Sequence, residues 1–377
     1  MDKKILYVVN VDWFFLSHRL PIALEMIKEG YEVHLVLKIT TRKEELESFG
    51  FIVHDINMTR KGINPFSELK NLINIYLIIK KIKPNLCHLV TAKAIVHGGI
   101  SSKLLNIPSV VAFSGLGHLF SSSSFVLNFI KRVIIILYRY IFNRKNLAFI
   151  FQNKDDLNKL KSLGLIRKNN TFLIKGSGVD LNEFSYLPEK EGIPRVVIMS
   201  RLLKQKGIVE FLEAAKILIS KNIKAEFVVY GDLDRDNYDS LTQKEIIEWS
   251  NFEQIKFAGY VKEVNQILHD AHIVVLPSYY GEGLPKALIE AAASGRAIIT
   301  TDHPGCRDAI IPGKTGLLVP IKDPIELSNS IEYLLKHEAL RKKLGKSGRE
   351  LAENEFNINS VISKHRDIYL SLIDRSY

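Results

Sequence analysis

The chain has 377 residues, 46% hydrophobic and 25% charged, with two cysteines and a net charge of +11. That length exceeds what one hydrophobic core serves, so two domains are expected, and the composition is that of a folded soluble protein. Cys87 and Cys306 lie too far apart to suggest a disulfide framework and fit a reducing compartment.

Lys3 and Lys4 open the chain, but Asp12 interrupts the apolar run that follows. No small-residue cleavage site appears, so no secretion signal is read. Strands are expected at KILYVVN (4–10), EVHLVL (32–37), FIVHDI (51–56), LCHLV (86–90), SVVAF (109–113), AFIFQ (148–152) and TFLIK (171–175). Helical periodicity fills gaps between them, as in HRLPIALEMIKEG, closed by Gly30, and PFSELKNLINIYLIIKKIK, closed by Pro84. The longest apolar run, FVLNFIKRVIIILYRYIF at 125–142, carries Lys131, Arg132 and Arg139. Those charges argue against a spanning helix, and a cytoplasmic location is expected. GSGVDLNEFSYLPEKEGIP (176–194) has no sustained period and reads as a linker. The pattern then restarts, with strands at RVVIMS (195–200), AEFVVYG (225–231), IKFAG (255–259), HIVVLP (272–277) and AIITT (297–301), and a last helix at about 357–376.

Strand–helix alternation at this spacing points to doubly wound parallel sheets, twice over. The expected division is 1–178, a linker at 179–194, 195–356, and a final helical segment at 357–377. Charge divides with it. Residues 1–180 hold 26 Lys/Arg against 13 Asp/Glu, or +13, and residues 181–377 hold 26 against 28, or −2, which together return +11. A basic first half suits a polyanion or an anionic membrane surface; a merely soluble basic face is the alternative.

Ligands of open parallel sheets bind beyond the carboxyl ends of the strands, and two such sheets facing each other form an interdomain cleft. Three loops stand out there. SRLLKQKG (200–207) sets Arg201 and Lys206 beside a helix opening at Lys206 or Gly207, an arrangement suited to an anion. YYGEGLPKALIEAAASGR (279–296) sets Gly281, Glu282 and Gly283 before a helix starting near Pro285, with Glu290 on its shaft. Carboxylates beside a phosphate repel it, so Glu282 and Glu290 are expected to reach neutral hydroxyls on either side of the anion, a layout that a sugar nucleotide has. The alternative is a dipole-favouring Glu282 and a surface Glu290. FSGLGHLF (113–120) offers Gly115, Gly117 and a titratable His118, which read equally as structural. GDLDRDNYD, with Asp232, Asp234 and Asp236, reads as a solvated loop.

SRLLKQKG, FAGYV (257–261) and LPSYYGEGLPKALIEAAASGRAIITTDHPGCRDAI (276–310) resemble the retaining GT-B glycosyltransferases of family 4, whose hallmark Glu-x7-Glu pair falls on Glu282 and Glu290. FLSHRLPIA (15–23), TRKGINPF (59–66) and SGLGHLF resemble the branch that extends undecaprenyl-diphosphate-linked glycans of O-antigen, capsule or N-glycan type.

The resemblance implies retaining transfer of a sugar, GalNAc or another HexNAc, from a UDP-sugar to a lipid-diphosphate-linked saccharide. By position, it gives catalytic roles to Glu282, His118, Arg201 and Lys206. Arg201 and Lys206 hold the donor diphosphate, Glu290 the ribose and Glu282 the transferred sugar. Gly283, Leu284 and Pro285 meet sugar and phosphate, and Tyr260 and Val261 meet the base. Gly178 and Asp180 fall at the interdomain turn, and the last helix returns to the first domain. Lys286 either adds charge near the diphosphate or is solvated. The family's Gly-rich first loop is absent; Ser17, His18 and Arg19, at a helix start, stand in its place. Those three, with Arg60, Lys93, Gly115, Gly117 and His118, are the acceptor-side candidates, Arg60 and Lys93 being taken as loop residues after strands. No metal or other cofactor is expected, the UDP-sugar being a substrate, and no nucleic-acid module is recognised.

In the 125–145 helix Asn128, Lys131, Arg132, Arg139 and Asn143 recur at three- and four-residue steps. Phe129, Ile130, Val133, Ile134, Leu137 and Ile141 are expected opposite them. Such a helix suits the inner face of the cytoplasmic membrane, with Lys80, Lys81 and Lys83 joining the patch; a core-covering helix is the alternative. Competing functions are a GT-B transferase with a soluble acceptor and an enzyme like the UDP-GlcNAc 2-epimerase.

Overall fold

The computed structural model describes residues 3–58, 64–117, 125–166, 170–234 and 237–374. The chain divides into two units, one of Met1–Ser177 with Asn359–Tyr377, the other of Gly178–Ile358.

The first unit is built on seven parallel strands: β1 (Lys4–Val11), β2 (Glu32–Lys38), β3 (Ile52–Asp55), β4 (Leu86–Val90), β5 (Ser109–Phe113), β6 (Leu147–Phe151) and β7 (Thr171–Leu173), ordered β3-β2-β1-β4-β5-β6-β7. Register is set by apolar pairs such as Leu6 with Cys87 and Val8 with Leu89. β1, β4 and β5 are near-continuous apolar runs because both faces of the sheet are covered. One face is closed by helix Leu20–Lys28 and by the last helix, Ile358–Asp374, through Ile22, Met26, Val361, Ile368 and Leu372. The other face carries helices Pro65–Ile82, Ala92–Leu104 and Phe125–Phe142, whose Ile75, Ile79, Ala94, Ile95, Tyr138 and Ile141 enter a second apolar cluster.

Two expectations for this unit are corrected. The helix expected in HRLPIALEMIKEG is Leu20–Lys28, and a further helix that was not anticipated, Asp12–His18, precedes it with Arg19 between them. Asp12, the first residue of that earlier helix, is buried, and its carboxylate ties the helix to the segment after β2 by accepting the backbone N–H groups of Thr40, Thr41 and Arg42. Ser17 and His18 therefore close a helix instead of opening one. In helix Phe125–Phe142 the buried stripe is narrow, through Tyr138, Ile141 and Phe142, so Phe129 and Val133 share the solvent face with Arg132 and Arg139.

The second unit has six parallel strands: β8 (Arg195–Met199), β9 (Glu226–Tyr230), β10 (Ile255–Gly259), β11 (Ile273–Leu276), β12 (Ala297–Thr301) and β13 (Gly316–Val319), ordered β10-β9-β8-β11-β12-β13. β13 was not anticipated: GLLV is a four-residue run opening on glycine, and its pairing with β12 makes it a strand. The segment before β8, read as a linker, lies against this unit. Phe184 is in its core, Glu189 takes a double hydrogen bond from Arg341 with both side chains 5% exposed, and Arg349 donates to the Phe184 and Ala293 carbonyls at 2.7 Å. Both cysteines are free and buried.

Candidate active site

In a parallel sheet all loops following strands leave from one edge, and in the second unit the loops after β8, β9, β11 and β12 interlock there. Two glycines set the closest approaches. Gly207 has φ +80, and a Cβ on it would stand 2.3 Å from the Pro277 carbonyl oxygen. Gly305 has φ +83, and its Cβ would stand 2.0 Å from the Gly283 oxygen. Any other residue at either position forces the loops apart.

Arg201 follows β8 and donates from Nη1 to Asp234 Oδ2 at 2.6 Å, across to the loop after β9. The Asp234 side chain is mostly buried, so GDLDRDNYD is not merely solvated: Asp234 anchors Arg201, and Asp239 accepts the backbone N–H of Gln205 at 2.8 Å. Asp236 lies outside the described residues. The 3-10 turn Lys204–Lys206 precedes helix Ile208–Ser220, with Gly207 between them. From that turn the Lys206 ammonium bonds Oε1 of Glu282, and both side chains are largely buried. Ser278 adds a hydroxyl 3.1 Å from the same oxygen, and Lys206 lies 5.6 Å from the centre of the Tyr280 ring.

The helix expected near Pro285 is Lys286–Ala293, with Pro285 in extended conformation as its cap and Lys286 as its first residue. Glu290 is buried among Leu288, Ile289, Ala291 and Ala292. Burial pushes its carboxyl above the ordinary range; the Lys286 ammonium, 3.3 Å away, opposes that shift, and Glu183 adds to it. A lysine thus stands against each glutamate of the pair. Gly283, Leu284 and Pro285 are buried beneath the helix mouth, while Tyr260, just beyond β10, is 64% exposed beside a half-buried Val261.

The first-unit candidates are not brought together in the same way. Arg19 is buried and donates to the His18 carbonyl at 2.8 Å, and His18 stacks on Phe14 at 4.3 Å. Ser17 is half-buried. Lys93 is on the first turn of helix Ala92–Leu104 and not in a loop. Its ammonium lies 2.6 Å from Glu68 Oε1, and Oε2 of the same carboxylate is 3.1 Å from His97 Nε2. Gly115 and Gly117 follow β5, half-buried. Arg60 and His118 lie outside the described residues.

Two participants were missed. Asp234 looks like one of several loop aspartates because its partner, Arg201, stands in another loop, whereas Ser278 lies four residues from Glu282 in the same loop and carries no signal until the fold turns its hydroxyl to that carboxylate. Among the described residues no group of three or more His, Cys, Asp or Glu is placed to hold a metal ion, and no helix is long and apolar enough to cross a membrane.

Helices Pro65–Ile82 and Phe125–Phe142, both in contact with Ala92–Leu104, leave apolar stripes uncovered. Phe66, Leu69, Ile73 and Leu77 form one, and Phe129, Val133, Ile136 and Tyr140 the other. Exposed Lys70, Lys80, Lys81, Arg132 and Arg139 border them.

Residues 182–351 match the family described as Glycosyl transferases group 1, and residues 4–153 match Glycosyl transferase 4-like. A Campylobacter jejuni N,N'-diacetylbacillosaminyl-diphospho-undecaprenol alpha-1,3-N-acetylgalactosaminyltransferase is 30% identical over 96% of this chain and 98% of its own. An Escherichia coli UDP-Gal:alpha-D-GlcNAc-diphosphoundecaprenol alpha-1,3-galactosyltransferase is 24% identical over 83% and 82%. Among solved structures, a glycosyltransferase of Rickettsia africae superposes with a TM-score of 0.80 at 21% identity, covering 99% of both chains. Anabaena HepE in complex with UDP superposes with a TM-score of 0.78 at 16% identity, covering 98% of this chain and 100% of its own.

Proposed function

Because the chain belongs to the group 1, 4-like glycosyl transferases, with their GT-B plan of two parallel-sheet α/β domains, we propose that it moves an N-acetylhexosamine, GalNAc first among them, from its UDP conjugate to a polyprenyl-diphosphate-linked saccharide, with retention at the anomeric carbon. The observation that carries the donor half is the ion pair of Lys206 with Glu282 at the carboxyl edge of the second sheet, in the same loop after β8 that carries Arg201 on Asp234. The acceptor half rests on the Campylobacter and Escherichia relatives, both named for diphospho-undecaprenol substrates.

In this reading the departing UDP gathers negative charge on its β-phosphate. Arg201, fixed by Asp234, and Lys206 meet that charge as preorganised cations. Glu290 takes the ribose hydroxyls, Glu282 the hydroxyls of the transferred sugar, and Tyr260 and Val261 the base. A carboxylate already bonded to an ammonium and a hydroxyl is a poor nucleophile, which favours gripping over attack for Glu282. The acceptor hydroxyl then loses its proton to the leaving phosphate on the same face. Lys93 and Arg60 are assigned to the acceptor's diphosphate, and His118, Gly115 and Gly117 to its sugar. The basic first unit and its two exposed apolar stripes support a peripheral seat on the inner face of the cytoplasmic membrane, where such acceptors are held.

The test is a panel of UDP-sugars with a synthetic sugar-diphosphate-lipid acceptor, reading UDP release and product linkage. Acceptor-dependent turnover of UDP-GalNAc or another UDP-HexNAc with an α-linked product is expected. UDP-sugar consumption without acceptor, or turnover only on soluble sugars, overturns the proposal.

A further inference from the structure

We infer that Ser278 is a positioning residue for Glu282, a buried hydroxyl that sets the carboxylate against Lys206 and frees it for the donor sugar. The inference rests on the donor-site reading above. Ser278 is wholly buried, two residues beyond β11. Its oxygen accepts the Tyr280 backbone N–H at 3.2 Å, which leaves its single proton to donate. Two acceptors compete for that proton: Glu282 Oε1 at 3.1 Å and the Gln205 carbonyl at 3.2 Å.

The competition gives the hydroxyl two satisfied states. While Glu282 is ionised and turned inward, the carboxylate is the stronger acceptor and the proton points to it. When Glu282 turns toward the hydroxyls of a bound sugar, the proton has the Gln205 carbonyl to go to. No buried donor is left unmet, so the turn carries no desolvation penalty at Ser278. An alanine provides neither state.

The serine is itself held from outside the helix mouth. Its carbonyl accepts from the Thr301 hydroxyl at the end of β12, and the Gln205 carbonyl that competes for its proton also accepts the Tyr279 N–H at 3.0 Å. Both Lys206 and Ser278 meet Oε1, so the two fix the carboxylate's rotation together. A residue so placed acts through Glu282 and touches no substrate.

The experiment compares wild type, Ser278→Ala, Ser278→Thr and Glu282→Ala in full-length protein, measuring UDP affinity by calorimetry and turnover of UDP-HexNAc with the synthetic acceptor. Ser278→Ala is expected to lower kcat by roughly ten- to a hundredfold, the loss of one hydrogen bond to a charged group. UDP affinity should stay within about twofold and Ser278→Thr should recover most of the rate. A loss shared equally between UDP affinity and kcat would mark a merely structural serine and overturn the inference. So would full activity in Ser278→Ala beside an inactive Glu282→Ala. Full activity in Glu282→Ala would instead overturn the donor-site reading on which the inference stands.

Discussion

The hydroxyl of Tyr369 lies 2.8 Å from Nδ1 of His88 and so joins the last helix to the centre of the first sheet, across 281 positions of sequence. Tyr7 stands 3.3 Å from the same hydroxyl, and the guanidinium of Arg19 and the ring of His365 complete the group. His365 must donate from Nδ1, since that nitrogen faces the Val361 carbonyl at 2.8 Å. Nε2 of both histidines and Nε of Arg19 are buried and have no hydrogen-bond partner among the described residues. The group is rich in donors and carries a cation, so a further positive charge on either ring is strongly disfavoured.

That sets a pH dependence for the first unit. Burial, with Arg19 as the second cause, depresses His365 to about 3 and holds His88 well below the ordinary 6.5. A depressed histidine contributes stability that is complete above its unfolded pKa and is lost as pH falls toward the folded one, because the unfolded chain binds the extra proton. His365 should therefore cost about 2 kcal/mol between its unfolded pKa and about pH 5, and His88 should add a loss of the same sign. Thermal unfolding followed from neutral to mildly acid pH should show this loss, and His365→Leu should flatten it. A melting temperature equally pH-dependent in the variant refutes the assignment.

Lys286 and Glu290 make a prediction at the donor site. Burial raises the Glu290 carboxyl and Lys286 opposes the shift, so Lys286→Ala removes the opposing charge and raises it further. UDP affinity in that variant should fall off at a higher pH than in wild type as the carboxylate takes up a proton. Glu290→Ala should weaken UDP by roughly tenfold or more at every pH, the loss of a charge-assisted hydrogen bond. Calorimetric titration of UDP over pH 5.5 to 8.5 checks both; superimposable wild-type and Lys286→Ala curves argue against a role for the pair.

Arg201 and Asp234 are coupled in a way that a double-mutant cycle can read. Arg201→Ala should lower kcat/KM by about two to three powers of ten, as expected when a preorganised donor to a developing charge is removed. Asp234→Ala leaves the cation in place but unanchored, and a milder loss of roughly three- to tenfold is expected from one charge-assisted bond. In the double variant the Asp234 change should add nothing, since its partner is gone. Additive effects mean that Asp234 acts on something other than Arg201.

The strands were legible because buried parallel strands are near-continuous apolar runs, and twelve such runs lie where β1 to β12 do. β13 escaped because four residues beginning with glycine carry no pattern of their own. Helix Asp12–His18 escaped because DWFFLSH is under two turns long, too short to show a helical period, and Pro21 marks only the first turn of the helix after it. Around the candidate site, the residue types at Arg201, Lys206, Glu282 and Glu290 were readable from spacing and helix starts. Their partners were not. Asp234 answers Arg201 from 33 positions away and Lys206 answers Glu282 from 76, and such pairings depend on which loops the sheet order brings side by side. The face turned outward by helix Phe125–Phe142 was misread for a related reason: nearly all its circumference is apolar, so only its neighbours decide which stripe is buried.

That outward face yields the last prediction. Phe66 and Ile136 are 86% and 64% exposed, on two helices whose solvent sides alternate large apolar residues with lysine and arginine. Phe66→Asp and Ile136→Asp remove nothing from the core, so unfolding free energy should change by no more than about 0.5 kcal/mol. If the face seats in a headgroup layer, each aspartate both withdraws apolar area and places a negative charge against anionic lipid. Flotation with vesicles containing anionic lipid at low salt should recover wild type with the vesicles and leave the double variant behind. Turnover should fall on an acceptor embedded in those vesicles and stay unchanged on a short water-soluble analogue. That contrast separates a membrane seat from damage to the donor site. Equal flotation of wild type and double variant, or wild type that stays in solution, removes the membrane role from this face.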